Sequence, residues 1–275
     1  MVGTPQTQVT QTMTRSSGLP DDTNDLLNRV LEHLHRTLRS LADEMRPIGQ
    51  GWIVRTHSLP LVWTLNQLRI TKPIAFADAV ALAEEHQADR PYRHVVVVDD
   101  ATGRSLEQAF AAAGWNVDRE VVMALAERSD REVDTRSVIE LSEEQMLELM
   151  ARWMTEEHPE RTEGLDQVEE YNRREGRLWN ERCFGILDNG GGPAAITKLR
   201  VDGTTAWVED VYTVPEARGR GYARTLVTYA TDLARSAEHD LIFIIADDND
   251  WPKHLYAEIG FVPIGTNHAF HRISP

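Results

Sequence analysis

The run Val211-Tyr-Thr-Val-Pro-Glu-Ala-Arg-Gly-Arg-Gly-Tyr-Ala-Arg-Thr-Leu-Val227 holds the residues best suited to chemistry. A strand-like stretch ends at Pro215, a loop with two glycines follows, and an apolar helix begins at once. The first N–H groups of a helix have no intrahelical acceptor and lie at the positive end of its dipole, so this junction suits a phosphate. Gly219, Gly221 and Ala223 leave room for a bulky anion to approach the main chain. A plain tight turn and a Rossmann-type phosphate site are the competing readings. The Rossmann pattern wants a third glycine and an acid about 20 residues on; neither it nor a Walker lysine accompanies this loop. Just before the loop stand two carboxylates, Glu209 and Asp210. Neighbours on a regular strand point to opposite faces, so only one is expected to look into a given site.

These residues need elements to hold them. Asn24 to Met45 has helical apolar spacing after a possible Asp21-Asp22-Thr23 cap, with Pro47, Gly49 and Gly51 ending it. Phe76 to His86 reads as a helix, His94 to Val98 as a buried strand, Ser105 to Ala113 as a helix stopped by Gly114, and Val121 to Leu125 as a strand. After a charged stretch, Glu127 to Arg136, comes a strand at Ser137 to Leu141. Ser142-Glu-Glu-Gln145 is a capping-box pattern opening a helix, and a second helix spans Leu165 to Arg177. A hairpin over Phe184 to Val201, a strand over Thr205 to Val214, the helix after the glycine loop, a strand at Leu241 to Ile245, and the helix carrying Tyr256 with the strand after Gly260 complete the order β-α-α-β-β-β-α-β-α-β. An α/β fold with a mixed sheet is implied. Val95-Val-Val-Val-Asp-Asp100 followed by Phe110-Ala-Ala-Ala-Gly-Trp115 parallels Ile242-Phe-Ile-Ile-Ala-Asp-Asp248 followed by Tyr256-Ala-Glu-Ile-Gly-Phe261, a faint internal repeat.

Composition bounds the partners. At 275 residues the chain has room for two domains, and its apolar (41%) and charged (27%) fractions are those of an ordinary globular protein. A net charge of −15 argues against nucleic acid and anionic membranes as partners. Cys183 is the only cysteine, which excludes an intrachain disulfide and a thiolate zinc cluster. No apolar run has membrane-span length, and Met1 to Leu19 lacks the apolar core of a signal peptide. A cytoplasmic protein with a disordered tail over residues 1–20 is expected. Asp247-Asp248-Asn249-Asp250 lacks the downstream ligands of a calcium loop, and the histidines lack zinc spacing, so no metal is expected.

From about Thr135 to Ser274 the chain resembles the GNAT superfamily of N-acetyltransferases. Three pieces carry the resemblance: Arg218-Gly-Arg-Gly-Tyr-Ala223, Asn249 seven residues before Tyr256, and Leu255-Tyr-Ala-Glu-Ile-Gly-Phe261, similar to the family's Leu-Tyr-x-x-x-Gly-Phe. The resemblance implies a GNAT-like fold over residues 131–275, in tandem with a degenerate GNAT-like or accessory domain over 21–130. It implies acetyl-CoA as co-substrate, with its pyrophosphate on Arg218, Gly219, Arg220, Gly221, Tyr222, Ala223 and Arg224. It implies that the strand at Val211, Tyr212 and Thr213 splays from its neighbour to pair with the pantetheine arm. An N–H near Thr213 would polarise the thioester carbonyl, and Asn249 would contact the arm. Tyr256 resembles the family's general acid; a thiol pKa of about 8.5 lies close enough to a phenol of about 10 for proton transfer. Phe110, at the matching place in the N-terminal repeat, has no proton to give.

Glu209-Asp210-Val211-Tyr212 resembles the Glu-Asp-aromatic-aromatic stretch of diamine and polyamine acetyltransferases, where the glutamate is proposed as base. A carboxylate with a pKa of about 4.3 is a weak base for an amine of about 10, so Glu209 would act through water or by attracting a cation. Asp210 is expected to be structural or paired with an arginine. Tyr171 and Trp179 are candidates for the acceptor-pocket wall. The expected activity is acetyl transfer from acetyl-CoA to a primary amine of a small molecule. A peptide or protein N-acetyltransferase and a non-catalytic acyl-CoA-binding module are the alternatives, with a homodimer through the N-terminal half left open.

Overall fold

The chain runs through α1 (Thr23–Leu41), β1 (Glu44–Ile48), β2 (Gly51–Arg55), β3 (Leu68–Ile70), α2 (Phe76–His86), β4 (Tyr92–Val97), α3 (Asp100–Ala112) and β5 (Asn116–Leu125). It continues through β6 (Ile139–Glu140), α4 (Glu143–Glu157), α5 (Leu165–Leu178), β7 (Arg182–Leu187), β8 (Pro193–Asp202), β9 (Thr205–Thr213), α6 (Tyr222–Ser236), β10 (Leu241–Asp247), α7 (Pro252–Ile259) and β11 (Phe261–Ile273). This computed structural model describes residues 23–127, 129, 131–157 and 163–273. The tail expected over residues 1–20 and the Asp21-Asp22 part of the helix cap lie outside them.

Among the described residues eleven strands join one mixed sheet, in the order β1-β2-β3-β4-β11-β5-β10-β9-β8-β7-β6. Two neighbouring pairs, β3–β4 and β9–β10, are parallel. Each parallel pair is bridged by a helix, α2 in the first half and α6 in the second, as a parallel connection requires. The faint sequence repeat thus has a structural counterpart: β2-β3-α2-β4-α3-β5 and β8-β9-α6-β10-α7-β11 follow the same order. The last strands of the two repeats change places. β11 lies between β4 and β5, and β5 lies between β11 and β10. The expected boundary at 130/131 falls in the connection from β5 to β6, and the sheet runs across it.

Alternation along β8 sorts the core into two layers. Ala195 and Leu199 pack with Leu226, Val227, Ala230 and Ala234 of α6. Ala194 and Ile196, on the opposite face, pack with Met146, Leu149 and Met150 of α4. The expected capping box opens α4: Ser142 N–H donates to Gln145 Oε1 (3.1 Å), and Gln145 N–H to Ser142 Oγ (3.3 Å).

Several elements differ from the sequence expectation. α1 ends at Leu41, and Pro47 to Gly51, expected only to stop a helix, belongs to the β1–β2 hairpin. Pro47 is tolerated because β1 is the sheet's outermost strand, where a missing donor costs no ladder bond. α3 starts at Asp100 rather than Ser105, because the Asp99 carboxylate accepts from Thr102 N–H (2.8 Å) and caps it.

The glycine in the Gly260-Phe261 pair has a steric cause. Gly260 has φ +120°, and a Cβ there would lie 1.7 Å from the Glu127 carbonyl oxygen. Its own carbonyl accepts from Ala126 N–H (3.0 Å), locking the end of α7 to the end of β5. Gly260→Ala is expected to destabilise the fold by roughly 2 kcal/mol or more, from backbone strain plus forced displacement. Urea unfolding measures it, and a midpoint equal to wild type would show that this crossing relaxes freely.

Candidate active site at the splayed strands

β9 and β10 pair only over Thr205–Leu241, Ala206–Ile242 and Trp207–Phe243. Beyond Trp207 they part, while β10 stays paired to β5 out to Asp247–Glu120. Residues 208–213 therefore present one backbone edge to a gap. Val214 N–H donates to Ala194 O (3.0 Å), toward β8, so strand alternation turns the Thr213 N–H the other way, into the gap. In the N-terminal half the same junction is closed. β3 and β4 pair from Leu68–Val95 to Ile70–Val97, and Val98 N–H continues the ladder to Ile70 O (3.1 Å).

The glycine loop stands at the end of the gap. Gly219 (φ +77°) and Gly221 (φ +79°) are both left-handed, and a Cβ at either would meet nothing within 4 Å. From Gly219 to Arg224, six consecutive backbone N–H groups have no acceptor among the described residues, and the first bond of α6 runs from Thr225 N–H to Gly221 O (3.0 Å). Six free amides at an uncapped helix start fit a diphosphate in number and charge. The arginines are partly engaged. Arg218 donates to Thr213 O (3.1 Å) and pairs with Glu156, Arg220 donates to Glu216 O (3.2 Å), and Arg224 pairs with Glu258.

Tyr256 is 5% exposed, and its hydroxyl makes no hydrogen bond to the described residues. Burial pushes its phenol above the ordinary tyrosine range, so the proton stays on at neutral pH. Its N-terminal counterpart Phe110 is stacked on Phe270 (centroids 4.2 Å apart) and edge-on to Phe76 (5.0 Å), filling that place with core. Asn249 sits in the turn after β10. Its N–H donates to the Asp247 carboxylate (2.7 Å), and its side-chain oxygen accepts from Arg119 of β5 (3.4 Å).

The other face of β9 corrects the reading of the two carboxylates. Lys198 opposes Glu209 and Ile196 opposes Tyr212, so Asp210 and Val211 together face Thr197. This is a β-bulge, with Asp210 in the left-handed region at φ +52°. The extra residue breaks the alternation, and both acids reach cations on one face of β8. Glu209 pairs with Arg200, and Asp210 with Lys198 at 2.7 Å, so the partner of Asp210 is a lysine rather than an arginine. Arg200 also binds Glu181 (2.7 Å) and Glu175 (3.1 Å), and Lys198 donates to Asn172 Oδ1 (2.7 Å). Both cations are fully enclosed.

Lys198, Arg200, Glu175, Glu181 and Asn172 were not singled out from the sequence. The available signal was two cations at i and i+2 in an otherwise apolar strand. Tyr171 touches the network at Glu175, whereas Trp179 donates to Thr37 of α1 (3.1 Å) and packs at a tilt against His33 (centroids 4.8 Å apart). The Tyr212 ring packs on Trp153 (5.6 Å) and its hydroxyl donates to Glu156 (2.8 Å), so only its backbone faces the gap. The Val211 side chain joins the core against α6.

Four carboxylates share two cations, leaving the network anionic. Desolvation pushes the Glu209 carboxyl well above its ordinary value, against the pull of Arg200, and likewise raises Glu175. Desolvation acts on Asp210 too, but Lys198 overrides it and holds that carboxyl below the usual range. A raised carboxyl is a better match to a base working near neutrality. A base is active when deprotonated, so a reaction that uses Glu209 as its base should lose kcat/KM as pH drops through the raised pKa of that carboxyl, above the usual carboxylate range of about 4 to 5. Glu209→Gln should flatten this acidic limb. A limb that persists unchanged would assign the titration elsewhere.

Among the described residues no group of side chains is placed to hold a metal ion, and no helix is long and apolar enough to cross a membrane. Residues 143–261 match the family model described as Acetyltransferase (GNAT) family. Over that segment, from α4 to the first residue of β11, the chain is similar to the GNAT acetyltransferases, an acyltransferase family.

Among solved structures, a functionally unknown conserved protein from Staphylococcus epidermidis is 14% identical, with TM-score 0.64 over 86% of this chain and 96% of its own. A GCN5-related N-acetyltransferase from Kribbella flavida is 16% identical, with TM-score 0.58 over 92% and 96%. Another from Sphaerobacter thermophilus is 16% identical, with TM-score 0.50 over 71% and 67%. The first two span nearly the whole chain, so the likeness of fold extends to the N-terminal half. No curated protein sequence matches the chain.

Proposed function

We propose that the C-terminal half transfers acetyl from acetyl-CoA to the primary amine of a small molecule. The observation that carries this reading is the asymmetry between the repeats. Only the second has parted strands, a glycine loop with left-handed Gly219 and Gly221 before its helix, and a tyrosine hydroxyl; the first has a closed ladder, no glycine in residues 71–75 and Phe110 packed as core. The amides of Gly219 to Arg224 would hold the pyrophosphate of acetyl-CoA, and the open edge of residues 208–213 would receive its arm.

On the opposite face, the anionic network favours a cationic acceptor. An ammonium brought there gives a proton, through water, to Glu209. The freed nitrogen attacks the thioester carbonyl carbon while the Thr213 N–H stabilises the developing oxyanion. The C–N bond forms, the C–S bond breaks, Tyr256 supplies the proton taken by the departing thiolate, and the second proton, lost from nitrogen as the amide forms, passes through water to restore the Tyr256 phenol.

A thiol-release assay with acetyl-CoA against linear diamines, amino sugars and peptides with free N-termini tests the proposal. Turnover with small amines is expected. Turnover confined to peptides would move the acceptor class, and absence of acetyl-CoA binding would remove the reading altogether.

A further inference from the structure

The bulge that joins Glu209 to the open edge of β9 is held by a group with no part in the proposed chemistry. Asp210 occupies the left-handed region, a conformation that costs an L residue roughly 1–2 kcal/mol. Aspartate tolerates it better than most residues, but nothing local obliges the strand to take the extra residue here. What secures it comes from β8. Lys198 is 0% exposed, and its ammonium lies 2.7 Å from the Asp210 carboxylate and 2.7 Å from Asn172 Oδ1 of α5. Thr197, the residue facing the bulge, donates from Oγ1 to Glu209 O (3.2 Å). A buried ammonium fixed at two points thus ties the bulged residue to a central strand and to a helix.

We propose that Lys198 is a positioning residue: it pins Asp210 in the bulge and thereby sets the two sides of the site at once, the Glu209 carboxylate on one face and the Thr213 N–H at the gap. The inference rests on the acetyltransferase reading for its kinetic consequence and on geometry alone for its structural one. The reaction uses no proton of Lys198, so its loss acts through the strand and through the charge it places near Glu209, two effects that the double variants below separate.

Two measurements test the pin: steady-state kinetics of thiol release with acetyl-CoA and 1,5-diaminopentane, and hydrogen–deuterium exchange of residues 207–214 in the ligand-free protein. Lys198→Met is expected to lower kcat on the order of tenfold to a hundredfold, with the acetyl-CoA KM changed by less than about threefold, since the pyrophosphate loop is untouched. Exchange in residues 207–214 should quicken.

Lys198→Met leaves a buried carboxylate unpaired, which alone can unfold a protein. Asp210→Gly and Asp210→Ala are therefore each combined with it. Both remove the charge, but only glycine takes the left-handed conformation freely. The Lys198→Met/Asp210→Gly protein should recover most of kcat and slow exchange, and Lys198→Met/Asp210→Ala should recover neither.

Equal behaviour of the two double variants would reduce Lys198 to charge compensation and overturn the proposal. So would a Lys198→Met protein that matches wild type in both readouts. A wild-type protein that fails to bind acetyl-CoA overturns the activity reading instead, and the exchange comparison then decides the pin by itself.

Discussion

Gly221→Glu is expected to abolish saturable acetyl-CoA binding, whereas Gly221→Ala weakens it only about tenfold. The alanine carries the conformational part of the effect: at φ +79° an L residue is strained by roughly 1–2 kcal/mol, with no clash added because a Cβ meets nothing within 4 Å. Glutamate adds a negative charge among the six free amides that the diphosphate needs, and like charges at one site cost several kcal/mol. The combined loss is on the order of a thousandfold or more. Isothermal titration of both variants separates the two parts. A Gly221→Glu protein that binds within about threefold of wild type would place the pyrophosphate elsewhere, and the loop would revert to a tight turn.

Tyr256→Phe should lower kcat roughly a hundredfold, the usual worth of a positioned general acid, with little change in acetyl-CoA affinity. The change removes one oxygen from a side chain that is 5% exposed and has no hydrogen-bond partner among the described residues. Deletion therefore leaves no broken bond and no orphaned partner, and the melting temperature should stay within about a degree or two of wild type. This combination is diagnostic, because a tyrosine kept only for packing would leave kcat as well as the melting temperature near wild type. Since burial raises the phenol further, the wild-type pH profile should show no basic limb from Tyr256 in the ordinary assay range. Full activity in Tyr256→Phe would require the thiolate to take its proton from another donor.

The parts of the site legible in the sequence are those set by local backbone demands. Gly219 and Gly221 need positive φ, and Gly260 must pass the Glu127 carbonyl, so each is fixed by what no other residue can do there. The charged network was hidden for the opposite reason. Its members lie on β8, β9, α5 and the turn at Glu181, and their meeting depends on strand register rather than on any run of residues. The period-two rule even pointed the wrong way, because it assumes a regular strand and Asp210 interrupts one. β3, with three residues, is too short for any periodicity to show. The places of β5 and β11 were likewise unreadable, since an apolar strand carries no mark of which neighbour it will choose.

That choice of neighbours has a consequence for how the chain is made. β4 and β5 leave the ribosome early, yet the strand that fills the space between them is β11, which follows every other described strand. The N-terminal half therefore cannot finish its own sheet as an independent unit during translation; its two open strand edges wait for more than a hundred further residues. Contacts so distant in sequence make folding slow and leave exposed edges available for wrong partners in the meantime. A ribosome stalled shortly before β11 would thus leave both halves unfinished, however complete the glycine loop and its helix already were.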